Sequence, residues 1–520
     1  PIETLFIRVN AGGTRLEGEE LMYSVLKAIW PEAPKVINRL ANRLATPSRL
    51  VMLIARLVLA EDAKGGNPPP TPDVRRFRRL VHGADAACPD FYRRLQGFVD
   101  RDASLLFDLA RELLTSGNYG LPPVLSADLA RRSPDVMFLF LHWLRRLQQT
   151  GHDPRQLDEG TRRRMLGVLT ALSWFARDSA RCLNVLWENL CDDQLLPGFF
   201  SRQNLGPLLK LTGRGDFHLP PIPCPGVLKD AIDHMMLSPA EGGQDGLDDP
   251  SHRLWKEWRW YENFASHLTK RLSEFYDKTV GSFWLPHAQN DDGEKKDNDP
   301  LTIKYREAWT AFIDKLRGER RGWLSRWFDD YDPTAPDQLE DTDRPWDFDH
   351  IHPESFIRRR RDIPRIIRNW HSSIGNLRAW PMEVNRSDGA RTPSDKLMKI
   401  TDVETLARYG LDRPKIIRDA SHVRDDWPHW QACTPSSSDH TNYPSNYLAD
   451  PVAYGACRPA LIRAITTRFV NLYAEWYREL HVGDWMGCSC SNCALDTANQ
   501  FVTRHGENGV VNEATRSSEL

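Results

Sequence analysis

The sequence predicts a mainly α protein with one small departure from that class, embedded near residues 345–400. Three observations carry this. From Asp73 to about Leu237 apolar residues recur at helical spacing in successive stripes. These are Leu105, Leu109, Leu113 and Leu114, then Met137, Leu141, Leu144 and Leu147, then Leu166, Leu169, Leu172 and Phe175. The same period returns late in the chain, at Ile465, Phe469, Leu472 and Trp476 within residues 461–479. Between these regions, the sharpest concentration of chemistry-bearing residues lies in two short clusters, Trp346 to Pro353 and Ile374 to Trp380.

Taken in order, residues 1–30 open with a short apolar stretch and a turn at Asn10-Ala11-Gly12-Gly13-Thr14. A helix follows from Glu19, with Leu21, Val25, Leu26 and Ile29 on one face. Leu50 to Ala60, interrupted by Arg56, and Val136 to Leu144, which contains His142, read as buried helices. Neither reaches the ~18 apolar residues of a membrane span. Gly65 to Pro72 is a stiff, non-helical linker. Pro220 to Pro225 is proline-broken, and Glu241 to Pro250 is a surface loop. Aromatic-rich helices are expected over Leu254 to Lys278 and Leu301 to Trp327, separated by a polar segment at Gln289 to Pro300. An acidic stretch covers Asp329 to Asp343, and the end of the chain reads as disordered.

Composition limits the partners. A net charge of -2 provides no overall pull toward nucleic acid, so any such contact must rest on local patches. Nine cysteines, an odd number spread over a long chain, fit reduced thiols in a cytosol better than a disulfide framework. No signal peptide is seen. The first residue is Pro1 rather than Met, and the chain runs straight into a motif, so an upstream segment is expected. No fixed-period repeat is evident.

The first cluster is Trp346-Asp347-Phe348-Asp349-His350-Ile351-His352-Pro353. Ile374-Gly375-Asn376-Leu377-Arg378-Ala379-Trp380 follows, then Asn385-Arg386-Ser387-Asp388 and Lys396. Phosphodiester hydrolysis needs an attacking hydroxide, counter-charge for the phosphorane, and help for the leaving oxygen. Carboxylate and amide oxygens suit a hard cation such as Mg²⁺. A neutral imidazole with a pKa near ~6.5 suits proton abstraction from water.

This set resembles the HNH, or ββα-metal, nuclease motif, in which a D-H-I-x-P strand is followed by an N-L strand and then an Asn or His near a helix. The resemblance implies that Asp349 and Asn385 ligate Mg²⁺ or Mn²⁺ and that His350 is the general base. Asn376 would hold the loop or orient His350, and Lys396, Arg378 and Arg386 would contact phosphate. His352 shares the His350 face by alternation and would assist either metal or DNA. The C-x-x-C pairs that clamp many such sites with zinc do not flank this one. Arg358, Arg359, Arg360 and Arg361, with Arg365 and Arg368 beyond, are either a grip on the DNA backbone or a solvated helix face.

A second resemblance lies at the other end. Phe6-Ile7-Arg8-Val9-Asn10-Ala11-Gly12-Gly13-Thr14-Arg15-Leu16, followed by Glu19-Glu20-Leu21, is similar to a signature of GmrSD-type restriction endonucleases. It belongs to the tail of their ParB/sulfiredoxin-like α/β domain. The upstream D-G-Q-Q-R motif of that family is absent, so nucleotide contact carries over only weakly, to Arg8 and Asn10. The Gly-rich turn either presents backbone N–H groups to phosphate or simply enters a helix. The same family ends its HNH domain in a helix like Arg468 to Trp476. The resemblance implies a modification-dependent, type IV restriction or phage-defence enzyme acting on phage or modified DNA. NTP would be bound by the missing upstream part, and homo-oligomers are compatible with it.

The expected organisation is 1–64 as the N-terminal tail, 73–237 as a helical linking region, 252–480 as the nuclease domain with its core at 345–400, and 481–520 as a cysteine-containing tail. In that tail Cys488, Cys490 and Cys493 lie near His481. Free surface thiols are favoured there over a zinc site, because the spacing is tighter than common zinc knuckles. Two other readings stay open: a non-catalytic DNA-binding or assembly module with a decayed site, and a toxin-like nuclease acting on RNA.

Overall fold

A computed structural model describes residues 18–210, isolated positions between 218 and 229, residues 327–328 and residues 345–486, short internal stretches excepted. The described chain is mainly helical, with a single two-stranded sheet among the described residues. It divides into two compact units, one containing residues 1–220 and 299–345, the other 221–298 and 346–520.

In the first unit the apolar stripes become helices with recognisable starts. These are α1 (Gly18–Ile29), α2 (Ala33–Ala41), α3 (Pro47–Leu59), α4 (Val74–Val81), α5 (Phe91–Arg101), α6 (Ala103–Thr115), α7 (Pro134–Gln149), α8 (Glu159–Phe175), α9 (Ser179–Cys191) and the short α10 (Arg202–Leu205). Asp73, Asp158 and Asp178 cap α4, α8 and α9 by accepting from backbone N–H groups of the first turn. Pro47 and Pro134 stand where a missing N–H is harmless.

From Leu50 to Leu59 every residue of α3 is buried, because α1, α2, α5 and α7 all pack on it. Arg56 is buried with the rest. Its Nη1 reaches Asp135 at 2.9 Å, its Nε donates to the Pro69 carbonyl at 3.3 Å, and its guanidinium lies over Phe138. The linker is non-helical from residue 66 to 73, as expected. It does not separate two bodies, however. Helices on either side pack on one another, α1 against α4 and α3 against α5.

The second unit is built on β1 (Trp346–His350) and β2 (Leu377–Pro381), paired antiparallel with Asp349 opposite Arg378 and His350 opposite Leu377. Pro381 occupies the last register position, where a lost ladder N–H is tolerated, and α11 (Met382–Asp388) begins directly after it. Gly389, at φ +50°, ends that helix in the left-handed region that favours glycine. The helix packs on both strands.

Next come α12 (Pro393–Met398), α13 (Val403–Arg408), α14 (Pro414–Ala420), α15 (Trp427–Ala432), the long α16 (Cys457–Glu479) and α17 (Val482–Met486). α16 includes the helix expected at 461–479 and buries Ile465, Phe469, Leu472 and Trp476. No described helix is long and apolar enough to cross a membrane. The segments 1–17, 254–278, 301–326 and 488–493 lie outside the described residues, and with them Arg8, Asn10, Cys488, Cys490 and Cys493.

Candidate functional site

The site is organised by the exit from β1. After His350 the chain turns inward, and Asn376 receives it. The Ile351 N–H donates to the Asn376 carbonyl at 2.9 Å, and the His352 N–H to Asn376 Oδ1 at 2.8 Å. Asn376 Nδ2 in turn donates to the carbonyls of His352 and His371, at 3.1 and 2.9 Å. A fully buried amide satisfied on both ends makes a rigid clamp. This is the loop-holding arm of the role expected for Asn376, acting on the backbone at His352.

The turn before Asn376 is pressed against α16. A Cβ on Gly375 would lie 2.3 Å from the Ile465 carbonyl oxygen, so only glycine fits there. Arg468, also on α16, donates to the carbonyls of Ile374 at 2.6 Å and Gly375 at 2.9 Å, and to Ser421 at 3.0 Å.

His350 is half-buried at the end of β1, and its ring stacks on His371 with centroids 5.1 Å apart. His371 is buried and donates from Nε2 to the His352 carbonyl at 2.8 Å, which assigns its proton to that nitrogen. His352 is buried as well, with Nε2 on the Tyr447 hydroxyl and Nδ1 lacking a hydrogen-bond partner. Burial lowers the pKa of His352 to about 3, with Lys396 and His350 adding to the effect. Burial lowers His371 well below the ordinary histidine value too, helped by His350 and His352. A fully buried ring has no surface to offer DNA, so a direct DNA contact does not fit the placement of His352.

Asp349 is the largest departure from expectation. Its side chain is 2 % exposed. Lys396 Nζ lies 2.6 Å from Oδ1, and Arg378 reaches Oδ2 at 2.8 Å. Burial pushes the Asp349 carboxyl up, but Lys396 and Arg378 outweigh it and hold the pKa below the usual carboxylate range. Arg378 also donates to Ser421 Oγ at 2.7 Å, approaches Asp388 at 3.4 Å, and stacks on Trp380 at 3.6 Å. Burial raises the pKa of Asp388, against the pull of Arg378. Lys396 completes its shell on the His350 carbonyl at 2.8 Å.

Arg378 and Lys396 are therefore not phosphate contacts. Their side chains are 0 % and 1 % exposed and are spent on buried carboxylates.

Asn385, on α11, is half-buried, and its Nδ2 lies 3.4 Å from Oδ2 of the exposed Asp347. Arg386 is exposed. Arg360 pairs with Asp362, its Nε donating at 2.9 Å, while Arg358, Arg359, Arg361, Arg365 and Arg368 lie outside the described residues. Among the described residues no group of three His, Cys, Asp or Glu side chains is placed to hold a metal ion.

The expected ligand pair does not fit a divalent cation as placed. Both Asp349 oxygens already face cations, and a metal would have to displace a lysine or an arginine from a buried carboxylate.

His371, Tyr447, Ser421 and the backbone role of Arg468 were not foreseen from sequence, and Asp388, though part of the quoted motif, was given no role. No local spacing marks the contacts of Tyr447, Ser421 and Arg468, which reach the site from distant positions. No family model, curated protein or solved structure matches the chain.

Proposed function

We propose that the chain is an endonuclease of the HNH type that hydrolyses DNA phosphodiester bonds. One observation carries this reading. The motif segment folds as an antiparallel strand pair followed by a helix packed on both strands, with a half-exposed histidine at the end of the first strand. That is the order of elements that the resemblance to the HNH motif implies.

In this reading the His350 imidazole takes a proton from water. The hydroxide attacks phosphorus in line, the bond to the 3′ oxygen breaks, and solvent protonates the leaving oxygen. His371 backs the ring, and the Asn376 clamp fixes the chain beyond it. Exposed Arg386 is the described cation available to a phosphate on α11. Mg²⁺ or Mn²⁺ dependence belongs to the resemblance. No step is assigned to a metal, because the expected ligands do not fit one. Phage or modified DNA as substrate, and a role in restriction, likewise come from the resemblance.

A second reading is favoured by the charge-paired state of Asp349: a DNA-binding or assembly module without cleavage. Supercoiled plasmid, unmodified or phage-modified, incubated with the parent protein or His350→Ala and with Mg²⁺, Mn²⁺ or chelator, separates the two. Metal-dependent nicking lost in His350→Ala supports the nuclease. Binding without cleavage in every arm supports the module.

A further inference from the structure

We infer that Asp349 is not a cation ligand but the centre of a buried charge anchor with Lys396, Arg378 and Asp388, and that Lys396 is a positioning residue for His350. The anchor is independent of the proposed function. Only the importance of placing His350 rests on that reading.

The argument begins with saturation. A carboxylate that ligates a divalent cation must turn a lone pair to it, and Asp349 has turned one oxygen to Lys396 and the other to Arg378. The two cations have nowhere better to go. Lys396 is 3 % exposed as a residue and Arg378 2 %, and each is surrounded by further acceptors: the His350 carbonyl for one, Ser421 and Asp388 for the other. With both carboxylates ionised, the two acids and two bases balance in charge. Such a set is tolerated in an interior because every member is partnered. Adding a divalent cation would overcharge it, and removing a lysine to admit one would strand a buried carboxylate.

The geometry also says what the anchor does. Asp349 is the cross-strand partner of Arg378, and Lys396 comes from α12, so three elements are tied at one point. Lys396 holds Asp349 by its side chain and His350 by its carbonyl, and so sets the direction in which β1 delivers the His350 ring.

The test uses the full chain and three variants, Asp349→Asn, Lys396→Met and the double variant. Three readings are taken: thermal unfolding, Mn²⁺ titration by calorimetry, and the His350 ring signal in histidine-labelled protein, assigned by its loss in His350→Gln. Each single variant strands one buried charge and is expected to lower the melting temperature by roughly 6–12 °C. The double variant removes the pair together and should recover at least about half of that loss. Any Mn²⁺ affinity of the parent should persist in the double variant within about twofold. The His350 signal should move in Lys396→Met and stay displaced in the double variant, because the bond to its carbonyl is gone in both.

The inference is overturned if Asp349→Asn melts like the parent while losing Mn²⁺ binding. It is overturned equally if the double variant is no more stable than the summed singles imply. A parent that neither binds Mn²⁺ nor cuts plasmid sinks the nuclease reading, and the stability comparison still decides the anchor.

Discussion

The interiors of the two units are built on opposite principles. Around α3 and α7 the first unit buries long, mainly apolar runs, and the few polar groups within them, such as Arg56 with its partner Asp135 and the imidazole of His142, are spread apart. Around β1 and β2 the second unit buries Asp349, Arg378, Lys396, His352, His371, Asn376 and Arg468 within one neighbourhood, each held by several partners. An apolar interior is non-directional and tolerates exchange of side chains of like volume. A polar interior stands only if nearly every group is matched, and the matching fixes geometry. The second kind of core is the one that holds His350.

The comparison breaks most visibly if one member of the charged cluster is removed. Arg378→Met leaves Asp388 with only the more exposed Arg391, 3.9 Å away, and Asp349 with Lys396 alone. The second unit should lose about 3–5 kcal/mol, and the first should be unchanged. Denaturant unfolding followed by segment-resolved hydrogen exchange reads the two separately. Equal losses in both units would show that the cluster is not local.

Acid should act on the same contrast. An unfolded histidine takes a proton near pH ~6.5, whereas these buried rings resist one until far lower. Between those points the unfolded chain binds more protons, so stability falls as pH falls, by roughly 1.4 kcal/mol per pH unit for each such ring. His352, at about 3, and His371 lie in the second unit, and His142, also at about 3 through burial and nearby Arg146 and Arg145, lies in the first. From pH ~6.5 to ~5 the buried rings should therefore weaken the second unit more steeply than the first, with burial-lowered His429 adding to the fall and burial-raised Asp388 and Asp426 opposing it. Limited proteolysis across that range, with cleavage sites assigned by mass spectrometry, checks it. A steeper fall in the first unit would contradict the assignment.

Gly375→Ala probes the contact between the Asn376 turn and α16. The intruding methyl meets backbone rather than a flexible side chain, so a loss at or above about 2–3 kcal/mol is expected, with His350-dependent cleavage falling in parallel. A neutral result would mean that the turn is free to move.

The smallest expected effect has the opposite sign. His142 is stacked on Trp187 at 4.7 Å, and neither ring nitrogen has a hydrogen-bond partner. His142→Phe should keep the stack, stabilise the first unit by about 1 kcal/mol and flatten its response to acid. A destabilised variant would imply a partner for the imidazole.

Much of the first unit was legible in advance, because helical periodicity is local. The stripes at Leu105, Met137 and Leu166 each lie in a helix. The linker at 65–72 was legible as non-helical but not as a segment spanned by packing, since contacts between helices leave no trace in composition. In the second unit, residue types and order marked where chemistry concentrates, and the resemblance singled out Asn376, whose amide bonds to the backbone at His352 and His371. They misassigned Arg378 and Lys396, because a basic residue near an Asp-His pair reads the same whether it faces solvent or a buried carboxylate.

The sequence by itself determined the helical class, the apolar stripes that lie in α1, α3, α6, α7, α8 and α16, and the cluster at residues 346–388, all properties of residues near one another in the chain. Only the tertiary structure decided which charges meet. Asp349 and Lys396 are brought together by the packing of α12, His352 and Tyr447 by a still longer excursion, and Gly375 and Ile465 by the seating of α16. The physical reason is desolvation: a charge on the surface is nearly free to choose its partner, but once buried it must take the partner that the fold supplies.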